Sequence, residues 1–259
     1  MNLDVAIVGA GPGGTAAALA LAGRGWRVAL IEKGVPPRHK TCGGGVLSRA
    51  VRLLPVNIES VVERHCCAIE LFHHEPDLRF AVRRDGSVIS MVMRDRFDFL
   101  LAAAAQQSGA QLIADAEVLQ VTPHGEDVEL ATTQGGIRSR FVIAADGVQS
   151  AVARLTGASE LRDVIPALEC EVTPAPAILE RYERAARFDF GLVPHGYGWV
   201  FPKREHLSIG VLTTRRGGAN LNESYQRYLE RLGIQKPFLE ERHGFMIPMR
   251  PRAEALGIR

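Results

Sequence analysis

The sequence predicts an α/β protein: a Rossmann-like dinucleotide-binding domain interrupted by a β-rich segment, followed by an antiparallel-sheet domain. Three observations carry this. The chain opens on Asp4-Val-Ala-Ile-Val-Gly-Ala-Gly-Pro-Gly-Gly14, an apolar run ending in a glycine turn, and Glu32 closes the next apolar run. A second apolar run, Phe141-Val-Ile-Ala-Ala-Asp-Gly147, ends in an Asp-Gly turn. Beyond about Gly157 the texture changes to short β-prone stretches joined by Pro- and Gly-rich turns.

Residues 3–10 are continuously apolar, as a buried parallel strand is. Gly9 allows a sharp exit from that strand, Gly11 allows a pyrophosphate to approach the backbone, and Gly14 allows the helix to pack close to the sheet. Phosphates there meet free N–H groups and the positive end of a helix dipole. Glu32, about 20 residues beyond the glycines, is placed to accept hydrogen bonds from ribose hydroxyls and to repel a 2′-phosphate. The expected nucleotide is therefore an unphosphorylated adenosine, as in FAD or NAD.

Ala- and Leu-rich residues 15–24 read as a helix and 26–32 as the second strand. A loop through Pro36 to Lys40 leads to Gly43-Gly44-Gly45, and 46–54 reads as a short helix. Stretches 68–72, 78–83 and 88–93 are β-prone. Residues 96–108 read as a helix ending at Gly109, followed by strands at 111–113 and 117–122. Runs 128–132 and 137–140 flank Gly135-Gly136 as a hairpin, and 141–145 reads as a buried strand entering Asp146-Gly147. In the second half, 167–172, 187–193, 199–202 and 206–213 read as strands and 222–232 as a helix, with Asn220 and Glu223 at capping-box spacing. The expected division is 1–157, with the β-rich insertion at about 60–93, and 158–259.

Bulk properties narrow the function. With 259 residues, 46% hydrophobic and 23% charged, the chain is an ordinary globular protein. A formal charge of +2 without a Lys/Arg block argues against nucleic acid. The four cysteines (Cys42, Cys66, Cys67, Cys170) form no CxxC pair and no zinc-like cluster with histidine, so no metal is expected. That usage fits a reduced, cytoplasmic setting. No run has the length of a membrane span, so contact with a membrane is expected only from its surface, as a peripheral protein.

Three stations in order, the Gly turn with Glu32, the segment Met93-Arg94-Asp95-Arg96-Phe97-Asp98-Phe99-Leu100, and Asp146-Gly147, resemble the FAD-dependent oxidoreductases of the p-hydroxybenzoate hydroxylase superfamily. Two further motifs resemble the geranylgeranyl reductase family within it: Lys40-Thr-Cys-Gly-Gly-Gly-Val-Leu47, and Pro194-His-Gly-Tyr-Gly-Trp-Val-Phe-Pro-Lys203. The resemblance spans residues 3 to about 250. It implies a Rossmann-like FAD-binding domain in which Gly9, Gly11, Pro12, Gly13, Gly14, Glu32 and Lys33 hold the ADP half. It further implies cofactor contacts from Arg94, Val118, Asp146 and Gly147, with Cys42, Gly43 and Gly44 at the flavin.

That family uses reduced FAD to saturate isolated double bonds of prenyl chains. A flat ring can lie against the glycine loop. Tyr197, Trp199 and Phe201 recur with period two and share one face of a strand, which suits a substrate channel as well as an aromatic core. Cys42, Tyr197 and His195 are the candidate catalytic residues, with hydride delivery to one alkene carbon and proton delivery to the other. NAD(P)H or another reductant is the expected electron donor. Two other readings stay open: a flavin-dependent aromatic monooxygenase, and a truncated, non-catalytic FAD- or ADP-binding module. The last is motivated by a departure from the family. The Gly-Asp station expected after the substrate sheet is missing, since the chain stops at Pro248-Met-Arg-Pro-Arg-Ala-Glu-Ala-Leu-Gly-Ile-Arg259 and contains no Gly-Asp pair. The expectation is a chain incomplete at its C-terminus.

Overall fold

The computed structural model describes residues 3–158, 164–215, 220–234 and 237–249; of the C-terminal run quoted above, residues 250–259 lie outside these. The first half contains β1 (Leu3–Val8), α1 (Pro12–Ala22), β2 (Val28–Ile31), β3 (Gly45–Leu47), α2 (Ser48–Val51), β4 (Val62–Cys66), β5 (Ala68–His74), β6 (Asp77–Arg83) and β7 (Ile89–Val92). It continues with α3 (Arg94–Gln107), β8 (Gln111–Ile113), β9 (Val118–His124), β10 (Asp127–Thr132), β11 (Gly135–Ala144) and α4 (Ala151–Leu155). The second half contains β12 (Val164–Thr173), α5 (Pro176–Tyr182), β13 (Ala185–Phe190), β14 (Gly196–Pro202), β15 (Leu207–Thr213), α6 (Leu221–Leu232) and β16 (Leu239–Pro248).

Six strands form the nucleotide-binding sheet in the order β8-β2-β1-β11-β10-β9. The parallel core pairs Ile7 with Leu30 on one side and with Ile143 on the other. Period-two alternation sends Val5 and Ile7 to one face, where Ala18, Leu19 and Ala22 of α1 and Ala105 of α3 meet them. Small side chains on both helices let them lie close to the sheet and to each other. Ala6 and Val8 face the other way and pack with Val118, Leu130 and Val152 of α4. Ser150 caps α4, its hydroxyl accepting the Ala153 N–H at 3.0 Å, a contribution of about 1 kcal/mol.

The seven-stranded sheet has the order β16-β12-β15-β14-β13-β5-β6. Antiparallel pairing runs throughout except between β13 and β5, which are parallel. The inserted segment is thus divided between two sheets. β5 and β6 extend the large sheet, while β4 and β7 join β3 in a separate three-stranded sheet. One face of the large sheet is covered by α6, where Val200, Ile209 and Val211 meet Tyr225, Tyr228 and Leu229. Gly198 admits the Tyr228 ring, whose Cε1 would lie 2.6 Å from a Cβ there. The opposite face carries Phe188, Tyr197, Trp199 and Phe201 and turns toward Ile89 and Met91 of the small sheet.

Two local expectations are corrected, and one strand has no counterpart among them. Residues 46–54 begin as strand β3 and only then turn into the one-turn helix α2, because Val46 pairs with Ser90 in the small sheet. The hairpin turn is Thr133-Gln134 rather than Gly135-Gly136; Thr132 already pairs with Gly135, so the glycines open a single ten-residue β11. β16, whose charged and apolar residues follow no clean alternation, pairs with β12 along all ten of its residues. At α6, Asn220 Oδ1 accepts the Glu223 N–H at 3.2 Å, which is one half of the expected capping box.

Candidate functional site

The first part of the site is the mouth between β1 and α1. Gly9 turns with φ +102°, and a Cβ there would lie 2.5 Å from the Ala145 carbonyl oxygen, so the β1 and β11 exits meet over bare backbone. A Cβ on Gly14 would overlap the Gly9 carbonyl oxygen. Gly11 and Gly13 differ. The nearest atom to a Cβ on Gly11 is Arg94 Nη2 at 3.9 Å, and nothing lies within 4 Å of one on Gly13. Gly11 is the N-cap of α1 and supplies no side-chain hydrogen bond, with Pro12 following inside the first turn. The helix therefore opens with unclaimed N–H groups beside a guanidinium, an anion site by construction.

Glu32, buried at the end of β2, is already engaged. Its Oε2 accepts the Ala10 N–H and an Arg38 N–H, both at 2.9 Å, and its Oε1 accepts the Gly34 N–H at 3.2 Å. Burial opposes its ionisation, but Arg38 and the two backbone donors outweigh burial and hold the carboxyl below the usual range. Each carboxylate oxygen has two acceptor sites, so Oε1 keeps one for a ribose hydroxyl. Lys33, next in the chain, is exposed, and Val118 is buried in the core below.

Arg38 continues from Glu32 to Asp98, with Nη1 to Oδ2 at 3.2 Å. Asp98 in turn receives Arg94 through two bonds of 2.8 and 2.9 Å. An alternating chain Glu32–Arg38–Asp98–Arg94 thus runs from the end of β2 to the start of α3, where the neighbouring Cys42 sulfur helps to raise the Arg94 guanidinium. Arg38 and Asp98 as partners were not foreseen from sequence. The cue available was an Asp on the α3 face one turn beyond Arg94, an i,i+4 pairing.

Asp146 serves two ends. Its Oδ2 accepts the Val152 N–H at 3.1 Å and so caps α4, while its Oδ1 is buried without any hydrogen-bond partner. Gly147 beside it has φ +88° and open space around it. An unpartnered buried carboxylate oxygen at a parallel strand end carries a desolvation cost that a ligand hydroxyl relieves.

The third part is the loop 40–45 against β14. The side of each glycine where a Cβ would stand is occupied by protein. Phe201 Cδ2 would be 2.7 Å from a Cβ on Gly43, the Val92 carbonyl would overlap one on Gly44, and Ile89 Cδ1 would be 2.7 Å from one on Gly45. The glycines are thus required for packing; any ring lying on the loop meets its other side. Trp199 is buried, and its Nε1 has no partner although it faces Gly43. Tyr197, Trp199 and Phe201 share a face as their spacing predicts, with successive ring centroids 6.3 Å apart. Burial pushes the Tyr197 phenol up.

Cys42 is exposed, and its sulfur accepts the Gly44 N–H at 3.4 Å. Lys40 lies over the Phe245 ring and is pushed down to about 8 by burial and by the charge of Arg94. His195 stands apart. It is exposed in the turn before β14 at φ +54°, and Gly196 to Phe201 alone spans roughly 17 Å of strand. The structure brings Cys42, Gly43, Gly44, Arg94, Trp199 and Phe201 together and leaves His195 outside.

A family model described as "FAD binding domain" matches residues 2–202. The chain belongs to the FAD-binding domain family. It is 32% identical over 238 residues to digeranylgeranylglycerophospholipid reductase 1 of Methanopyrus kandleri, covering 82% of this chain and 58% of that one. It is 26% identical over 267 residues to geranylgeranyl diphosphate reductase of Rhodobacter capsulatus, covering 97% of this chain and 64% of that one. In fold, this FAD-binding domain protein is similar to a geranylgeranyl bacteriochlorophyll reductase-like protein from Thermoplasma acidophilum, with TM-score 0.81, 23% identity, and coverage of 94% and 66%. The chain therefore spans about three-fifths of the curated relatives' length. No helix among the described residues is long and apolar enough to cross a membrane.

Proposed function

We propose that this chain forms the cofactor- and substrate-binding part of an FAD-dependent oxidoreductase that reduces isolated carbon–carbon double bonds of a prenyl chain. The observation that carries the reading is the aromatic face of β14. Trp199 and Phe201 lie against the glycine loop and Tyr197 lies beside Trp199 on the same strand face, forming an aromatic wall. In this reading 1–157 hold the cofactor, and 158–259, joined in one sheet by the strands of 68–83, face the substrate.

The residues present fit FAD. The open backbone at Gly11 and Gly13 and the N-terminus of α1 suit a pyrophosphate, the remaining acceptor on Glu32 suits a ribose, and Asp146 Oδ1 suits a hydroxyl. When bound and reduced, FAD supplies a hydride. The chain's own contribution is position and dryness. An isolated alkene offers no carbonyl to polarise, so the aromatic wall aligns the chain and keeps water out. Cys42 and Tyr197 are the proton carriers of this proposal: Tyr197 holds its proton at neutral pH because burial disfavours the phenolate, and the Gly44 N–H orients the Cys42 sulfur. A long apolar substrate also implies approach from a membrane surface and a separate reductant such as NAD(P)H.

Anaerobic incubation of the FAD-loaded chain with dithionite and a geranylgeranyl lipid tests the proposal. It predicts products heavier by two hydrogens per reduced bond. A product formed only with oxygen, or none from a chain that retains FAD, would contradict it.

A further inference from the structure

Two buried ionisable residues, Lys203 and Glu169, and their partly buried neighbour Glu171 lie on the sheet face beneath the glycine loop. Lys203 follows β14 and is fully buried. Its ammonium donates to the Gly43 carbonyl at 2.7 Å and to the Val92 carbonyl at 2.9 Å. Glu169 lies on β12, on the same sheet face, and is also buried. Its Oε1 accepts the Ser208 hydroxyl at 2.6 Å, and its carboxyl faces the Cys42 N–H, which favours the charged form. The glycine loop thereby meets two buried side chains: Lys203 holds the Gly43 carbonyl, and Glu169 faces the Cys42 N–H one peptide unit away from it. Gly44, at φ +70°, is the only residue type that fits between Val92 and the Lys203 ammonium.

Burying these groups is costly. Burial pushes Lys203 down against the pull of Glu171 and Glu169. Burial pushes Glu169 up, and the neighbouring Glu171 adds to it. Glu171 sits 2.9 Å from His206 and remains the charged member. A methionine and a glutamine would pack the same volumes without charge. The ammonium and the carboxyl are placed where a loop carbonyl and a loop N–H require them.

We propose that Lys203 and Glu169 are positioning residues that lock the Cys42–Gly44 loop against β14 and set the place of the Cys42 thiol and of the loop face presented to the cofactor. The catalytic consequence rests on the function proposed above; the lock itself does not.

Hydrogen exchange read by mass spectrometry on the full chain, with and without FAD, tests it. Lys203→Met leaves the Gly43 and Val92 carbonyls unpaired, and exchange in peptides covering 41–46 is expected to rise about tenfold or more. Peptides of β1 and β2 keep their wild-type rates. Glu169→Ala is expected to act the same way, while Glu169→Gln, which retains an acceptor for the Cys42 N–H, restores wild-type exchange. Unchanged exchange at 41–46 in both Lys203→Met and Glu169→Ala overturns the proposal. So does a rise spread evenly over the whole chain, which marks general destabilisation. If Lys203→Met fails to fold, the Ala and Gln variants at 169 decide alone. Exchange is read without turnover, so a chain inactive on prenyl lipids leaves this result standing.

Discussion

The Gly9 carbonyl oxygen occupies the space that a Cβ on Gly14 would need, so the turn out of β1 and the first turn of α1 meet backbone to backbone. Gly11, two residues beyond that turn, has no such neighbour. The two glycines therefore have separable roles. Gly14→Ala is expected to destabilise the fold by several kcal/mol, on the order of a severe overpacking defect, and to depress folded yield and Tm. Gly11→Val is expected to fold with near wild-type Tm and to lose FAD affinity, checked by thermal denaturation and by calorimetric titration.

The ion-pair chain from Glu32 to Arg94 depends on Arg38, which lies between two buried carboxylates and is itself about a fifth exposed. Arg38→Met is expected to cost about 2 kcal/mol at pH 7, below the cost for a fully dry pair because water reaches one side. Glu32 is held below its unfolded value, so the stability it contributes is present above about pH 4.5 and is lost as pH falls through its native value. Urea titrations should show the deficit of the Met variant shrinking between pH 5 and pH 3 (about the range over which an ordinary carboxyl is neutralised). A deficit constant with pH would remove Glu32 from the explanation.

Glu169 titrates with the opposite sign. Its folded value lies above the unfolded one, so its contribution is complete below the unfolded value and disappears as pH rises through the folded value. Glu169→Gln is expected to be neutral near pH 4 and more stable than wild type at pH 8. Denaturant midpoints at the two pH values check this.

Gly210 on β15 lies under Trp199, and a Cβ there would overlap the indole ring. Gly210→Ala is expected to push Trp199 out of line with Tyr197 and Phe201. Prenyl turnover should fall at least about tenfold while FAD affinity stays within about twofold, because the nucleotide mouth lies on the other sheet. Equal losses of both would place the aromatic face outside the substrate path.

Much of the nucleotide-binding half was legible in the sequence because its signals are local. The glycine turn, the strand apolarity and the Asp-Gly exit each sit within a few residues, and backbone sterics allow few alternatives. The shared face of Tyr197, Trp199 and Phe201 followed from strand periodicity alone. What was hidden depends on distant pairing. Arg38 sits in a loop with no periodicity, and its meeting with Asp98 spans 60 residues. Glu169 and Glu171 alternate with apolar residues on β12, a pattern that ordinarily marks a solvent face, yet Glu169 is buried there with the Ser208 hydroxyl as its partner. The division of the insertion between two sheets could not be read either, since β5 finds its partner β13 more than 100 residues later.

The central claim is that FAD lodges at the mouth between β1 and α1 and extends toward Gly43–Gly45. Titrating FAD into the purified chain by calorimetry, with Gly11→Val and Glu32→Arg alongside, tests it most directly. The account predicts saturable one-to-one binding to the unmodified chain and none to either variant. Heats indistinguishable from dilution, or equal affinity in all three proteins, would contradict it.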